Sequence, residues 1–103
     1  MDPTEQLQRL AQAGFGFETF ERYPRAVGAT RDGCVVLLEV TPTGLNVIGA
    51  PGWRMGEVLG VLVEKEGRQV FQSKAEILEA TPERLDNLQR FRDDLERALL
   101  PAA

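Results

Sequence analysis

The fold is decided by residues 34–40, CVVLLEV, in which every side chain except Glu39 is apolar. Dense β-branched and leucine residues favour a β-strand. Neighbouring side chains of a strand point to opposite faces of the sheet, and here both alternating sets are apolar. Both faces of this central strand therefore need cover, which either helices or a curled sheet provides.

Turn signals on both sides of the central strand predict an antiparallel meander. The sequence TPTG at residues 41–44 leads into a partner strand, LNVI, at residues 45–48. Asp32-Gly33 before the central strand and Lys65-Glu66-Gly67 further on are typical of tight hairpin turns. The predicted strands are residues 15–23, 26–30, 34–40, 45–48, 58–64 and 69–72.

The segment from Ser73 to Ala80 has two interpretations. Its charged and apolar residues alternate imperfectly, so it is either a bent continuation of the preceding strand or a separate strand. We expect strand structure here in either case.

Two helices flank the predicted sheet. Asp2-Pro3 begins a short one that runs to about Ala13, and Thr81-Pro82 begins a long one that Pro101 ends. An Asp or Thr cap followed by proline at the first helical position is a start signal for a helix. The apolar stripe of the long helix consists of Leu85, Leu88, Phe91, Leu95, Ala98 and Leu99.

These elements predict one α+β domain over residues 1–103. Its core is a curved antiparallel β-meander of five or six strands, with a short N-terminal helix and a long C-terminal helix packed on the sheet. A chain of 103 residues with 43% hydrophobic and 27% charged residues has the composition of a single globular domain.

Charge and cysteine content exclude several classes of partner. The net charge is −4, and neither half of the chain is a basic arm, so we expect no duplex nucleic acid partner and no membrane partner. The single cysteine and the acidic, polar N-terminus favour a cytoplasmic location.

The sequence contains no motif that identifies a reaction. Histidine is absent, which removes the commonest general base and most transition-metal sites. Cys34 alternates in phase with the apolar residues of its strand, which indicates a buried hydrophobe rather than a nucleophile. We therefore assign no catalytic residue, no metal ligand and no cofactor, and an enzymatic role ranks below a binding role.

Two stretches rich in arginine and aromatic residues are candidate binding sites. One is Arg22-Tyr23-Pro24-Arg25, with Arg31 nearby, and the other is a Gly/Pro-rich loop at residues 49–56 that carries Trp53 and Arg54. Arginine beside an aromatic ring can bind an anion while the ring stacks on a base or a side chain. In the alternative interpretation, the two rings close the ends of the sheet and the arginines pair with nearby glutamates, Glu18, Glu21 or Glu57.

Two functions follow from these patterns. The first is a non-enzymatic protein-interaction module that forms a homodimer through the outer strand at residues 15–23 or through the exposed sheet face around Trp53. The second is a module that binds a small anionic ligand such as a nucleotide or phosphate. Its ligand-binding residues would be Arg22, Tyr23, Arg25, Trp53 and Arg54.

Overall fold

The structure, a computed structural model, describes residues 2–100. It contains two helices and seven strands. In chain order they are α1 Pro3–Gln12, β1 Gly16–Phe20, β2 Tyr23–Arg31, β3 Cys34–Thr41, β4 Gly44–Met55, β5 Val58–Lys65, β6 Arg68–Gln72, β7 Ile77–Glu79 and α2 Pro82–Leu99.

The strands form one curled antiparallel sheet whose order follows the chain, β1 to β7. The predicted α+β meander with two flanking helices is thus confirmed, with one strand more than expected. The extra strand comes from the ambiguous segment after Gln72, where a turn stabilised by the Ser73 hydroxyl separates β6 from a short β7.

The predicted loop at residues 49–56 is wrong, because β4 continues to Met55. The register between β3 and β4 shifts between the pairs Leu37–Ile48 and Val35–Gly52, so the intervening residues form an irregularity within the strand. Gly49 lies there with a φ of +71°, a value that favours glycine. Glycine and proline at this position thus bend a strand instead of ending it.

The boundary between the first two strands also differs from the prediction. A turn at Glu21 and Arg22 ends β1 at Phe20, and Tyr23 begins β2. Pro24 therefore lies inside a strand. Proline has no N–H to donate to a neighbouring strand. It is tolerated here because the β1–β2 register is irregular and β2 begins to pair with β3 only at Val27.

Five consecutive residues of β3, Cys34 to Leu38, are buried. One alternating set packs under α1 and α2 on what we call the helix face, and the other set packs on the opposite, open face. The helix face buries Leu10, Phe15, Ala29, Cys34, Val36, Leu38, Leu45, Met55, Phe71, Ala80, Leu88, Phe91, Leu95 and Ala98. The open face buries Phe20, Ala26, Val35 and Leu37, with Tyr23 and Leu59 packed against them.

The predicted apolar stripe of α2 is confirmed. Leu88, Phe91, Leu95 and Ala98 are buried against the sheet, and Phe91 is wholly inaccessible. The Phe91 ring lies 5.0 Å from that of Phe15, centroid to centroid. Thr81 caps the helix as expected, whereas the predicted end at Pro101 lies outside the described residues.

Helix α1 is fixed to the sheet by a buried glutamine, Gln6, which the sequence analysis does not single out. The Gln6 side chain oxygen accepts the Leu45 backbone N–H at 2.8 Å. Its amide nitrogen donates to the Leu99 carbonyl at 3.2 Å. One side chain therefore joins α1, β4 and the end of α2.

The sheet coils strongly toward its open face. Arg54 on β4 forms an ion pair with Glu18 on β1 although β2 and β3 lie between them. In a flat sheet those strands would be about 14 Å apart, so the coil brings them together.

The coil divides the sheet where β4 and β5 separate. β5 pairs with β4 only over Trp53 to Met55, and the rest of β5 pairs with β6 alone. Gly52 makes this crossing possible, because a Cβ there would collide with the Gly60 carbonyl oxygen.

We predict that Gly52→Ala lowers the free energy of unfolding by about 2 kcal/mol, because a rigid backbone atom blocks the added methyl group. Gly16→Ala is the matched control. Its Cβ would meet the movable Thr30 hydroxyl at 3.3 Å, so we expect a change within about 0.5 kcal/mol. Urea denaturation measures both, and equal losses would contradict the close crossing of β4 and β5.

We also predict that Gln6→Ala costs about 1 to 3 kcal/mol, since it leaves the buried Leu45 N–H without an acceptor. Gln8→Ala on the same helix is the control, because Gln8 is exposed. Denaturant unfolding compares the two variants, and similar stabilities would show that Gln6 does not anchor α1.

Candidate functional site

The predicted site residues divide between the two faces of the sheet. Tyr23 packs against the open-face cluster, edge-on to Phe20 with ring centroids 6.4 Å apart. Trp53 packs on the helix face, where its ring lies 5.4 Å from the Phe71 ring. The two aromatic residues therefore do not contribute to one surface.

Trp53 is largely occupied by structural contacts. The Arg84 guanidinium lies 5.8 Å from the centre of its ring, while Arg84 also donates to the Glu79 carbonyl at 2.7 Å. The ring also lies against Gly33, where a Cβ would collide with it. These contacts tie the start of α2 to β4 and to the β2–β3 turn.

Arg54 also has partners within the chain. Its guanidinium pairs with Glu18 and lies 5.6 Å from the centre of the Phe20 ring. Its Nε donates to the Gly56 carbonyl at 3.2 Å. Both members of the ion pair are more than a third exposed, so the pair itself adds little stability. Arg54 can still reach solvent, but an anion would compete with Glu18.

Arg31 stabilises the junction of both helices with the sheet. It donates to the Ala13 carbonyl at 2.9 Å, pairs with Asp94 at 2.8 Å and lies over the Phe15 ring. Its side chain is only 17% exposed. The arginine that the sequence places near the first candidate site is therefore a structural anchor.

Arg22 and Arg25 are the predicted arginines that remain free. Both are exposed, and neither forms an ion pair or side-chain hydrogen bond within residues 2–100. They lie on either side of Tyr23 in the chain. Two cations and a partly buried ring can bind negatively charged or apolar groups, but they supply no acid–base pair.

Surface depressions adjoin Tyr23 on both sides. The first, of about 390 Å³, is lined by Arg22, Tyr23, Val58, Leu59, Val61, Gln72, Ser73, Lys74 and Ala75. The second, of about 440 Å³, is lined by Tyr23, Pro24, Arg25, Ala26, Leu37, Glu39 and Ile48. Arg22, Tyr23 and Arg25 thus border open concave surface.

The residues that β5 and the β6–β7 turn contribute to the first depression were not predicted from the sequence. Lys74 follows Tyr23 by half the length of the chain, and only the coil of the sheet brings them together. The run VLGVLV at residues 58–63 gives a partial sequence signal for these residues. Val58 and Leu62 lie on one face of the strand, and Leu59 and Val61 lie on the other. That double set indicates a strand with two apolar faces.

Cys34 is wholly buried, as expected of a small hydrophobe. The pKa of its thiol is raised from an ordinary 9.0 to about 11, chiefly by burial and also by the Asp32 charge, while Arg31 opposes the rise. The thiol is therefore protonated and shielded at neutral pH, which disfavours nucleophilic chemistry.

We predict that an aromatic disulfide reagent modifies Cys34 at least about a hundredfold more slowly in the native protein than in denaturant, because reaction needs local opening. Absorbance of the released thiolate measures the rates, and similar rates would contradict the burial.

Alkaline pH supplies a second test of the same thiol. Between pH 9.0 and about 11 the unfolded chain loses the Cys34 proton while the folded chain keeps it, so the free energy of unfolding falls. Denaturation across this range should show a steeper decline for the native sequence than for Cys34→Ala. Identical slopes would contradict the raised pKa.

No group of three or more potential metal-ligating residues occurs within residues 2–100. In the same range, neither helix is long and apolar enough to cross a membrane. Comparisons of the chain with protein-family models, curated proteins and solved structures gave no match. The function must therefore be argued from the surface itself.

Proposed function

We propose that this protein is a non-enzymatic protein-interaction module that pairs with a second copy of itself through the open edge of β4. The observation that carries the proposal is a stretch of β4 that lacks a neighbouring strand and carries no charge.

The open edge consists of residues 45–52 of β4. β3 pairs with β4 on one side, but β5 reaches only Trp53 to Met55 on the other. The edge results from the separation of β5 from β4 at the Gly52–Gly60 crossing.

The direction of the backbone groups along this edge follows from one hydrogen bond. The Leu45 N–H points away from β3, because it donates to Gln6. Backbone groups of a strand alternate in direction, so the N–H and carbonyl of Val47 also point outward. Within residues 2–100 no backbone partner satisfies them.

The edge has only part of the usual protection against pairing. Gln6 of α1 occupies the Leu45 N–H, and the irregularity at Gly49 and Pro51 interrupts the far end, but Val47 and Ile48 between them have no such cover. Protein edge strands normally carry charged residues or stay short. Residues 44–53, GLNVIGAPGW, include no charged side chain. Val47 and Ile48 are each 42% exposed, and Val40 on the neighbouring strand is 51% exposed.

The other open sheet edges are better protected. Residues 61–65 of β5, which pair with β6 alone, include Glu64 and Lys65. β1, the edge that the sequence analysis favours for pairing, is five residues long, has an irregular register and contains Glu18. β7 has only three residues, one of them Glu79. Val47 and Ile48 of the β4 edge are thus an exposed and uncharged segment without a second strand partner among the described residues.

Pairing of two identical edges has a simple geometry. Two β4 strands can lie antiparallel about a two-fold axis at Val47, so that each Val47 N–H donates to the carbonyl of the other copy. The exposed Val47 and Val40 side chains of both copies would then form one apolar strip on the helix face.

We predict that the native protein sediments at micromolar concentration with twice the 11.4 kDa mass of one chain. Val47→Lys should give a single-chain mass, because pairing would force two like charges together at the axis. Phe17→Lys on β1 is the matched control and should leave the dimer intact. Far-UV circular dichroism verifies that both variants fold.

A native mass near one chain at every concentration would overturn self-association. Dissociation by Phe17→Lys but not by Val47→Lys would place the contact on β1 and overturn the role of the β4 edge.

A further inference from the structure

We propose that the depression between Arg22 and Lys74, which we call the Tyr23 groove, binds an extended peptide segment that carries acidic and large apolar side chains. The Tyr23 groove is lined by the β1–β2 turn, β2, β5, the end of β6 and the β6–β7 turn, and it includes no β4 residue. The proposal therefore goes beyond self-association and does not depend on it.

The charge of the Tyr23 groove is opposite to that of the whole protein. The chain has 16 acidic and 12 basic residues, yet Arg22 and Lys74 line the groove and no acidic side chain does. By contrast, Glu39 lines the depression on the other side of Tyr23. Neither Arg22 nor Lys74 forms an ion pair within residues 2–100. Both cations are thus available for carboxylates of a partner.

The floor of the Tyr23 groove is apolar. Tyr23 and Leu59 are partly buried against the open-face cluster, and Val61 beside them is 50% exposed. Large apolar side chains of a partner would bury this surface, and that burial supplies affinity.

A peptide matches this combination better than a free phosphate does. Phosphate sites converge several donors on one anion, often including backbone N–H groups. Here two separate cations flank an apolar floor. The floor would remove water from a phosphate without supplying hydrogen bonds in its place. A chain that alternates acidic and apolar side chains can contact both parts of the groove at once.

Selection from a random peptide library tests the proposal with the full-length protein. Displayed peptides of about six residues are selected on the native protein, and those that also bind the Arg22→Ser/Lys74→Ser variant are removed. We expect the survivors to combine Asp or Glu with Phe, Leu, Ile or Val. A synthetic peptide of the selected sequence should bind at least about tenfold more weakly to the variant, and more weakly in high salt.

The matched control is Lys65→Ser/Arg92→Ser, which removes two exposed cations that form no ion pair within the described residues. It should leave peptide affinity unchanged. Amide chemical shifts of the labelled protein should move at Tyr23, Leu59 and Val61 during peptide titration, which locates the contact independently of charge.

Three outcomes would overturn the proposal. They are the absence of any selected sequence that depends on Arg22 and Lys74, selection of basic peptides, and equal loss of affinity in the control variant. Inorganic pyrophosphate is titrated in parallel. If it moves the same amides and no peptide does, the groove is a small-anion site instead. These peptide-binding results are independent of whether the protein sediments as one chain or two. The proposed pairing through β4 is therefore tested separately.

Discussion

The two-sided burial of β3 is the constraint on which the structure depends. Cys34 to Leu38 are buried in succession, so hydrophobic cover is needed on both faces of the sheet. Residues 2–100 contain two helices, and both pack on the face of Val36 and Leu38. The other face is covered by the sheet itself, because the coil places Phe20, Tyr23 and Leu59 over Val35 and Leu37. The ion pair between Arg54 and Glu18 spans the same face.

The coil that covers the open face also creates the unpaired edge. β5 must leave β4 after a short pairing, and Gly52 and Gly60 let the two backbones cross closely. The first half of β4 then has no strand beside it. Gln6 satisfies the outward N–H of Leu45, but the next outward residue, Val47, has no backbone partner within residues 2–100. The cover of the open face and the unpaired edge of β4 therefore have one common cause, which is the coil of the sheet.

Local signals in the sequence predicted the elements, while the site depends on contacts that are distant in the chain. Helix caps at Asp2 and Thr81 and the Asp32-Gly33 turn were predicted correctly because short-range chemistry determines them. The prediction of a loop at residues 49–56 was wrong, because glycine and proline occur both in loops and in irregularities within strands. Trp53 was predicted to share a site with Tyr23. The sequence does not show that β4 contains an irregularity, and the irregularity changes the sheet face on which the later side chains of β4 lie. Lys74 was missed because the coil alone brings it near Arg22.

The two proposed surfaces make different demands on a partner. The β4 edge offers backbone groups, which recognise any extended strand and suit a second copy of the same chain. The Tyr23 groove offers the side chains of Arg22, Tyr23 and Lys74, which would select a partner by its charge and its apolar bulk. The β4 edge contributes no residue to the groove, so pairing about Val47 leaves both grooves of a dimer open. A partner with two suitable segments would then bind the second groove intramolecularly, and its avidity would exceed the modest affinity of a shallow, exposed site.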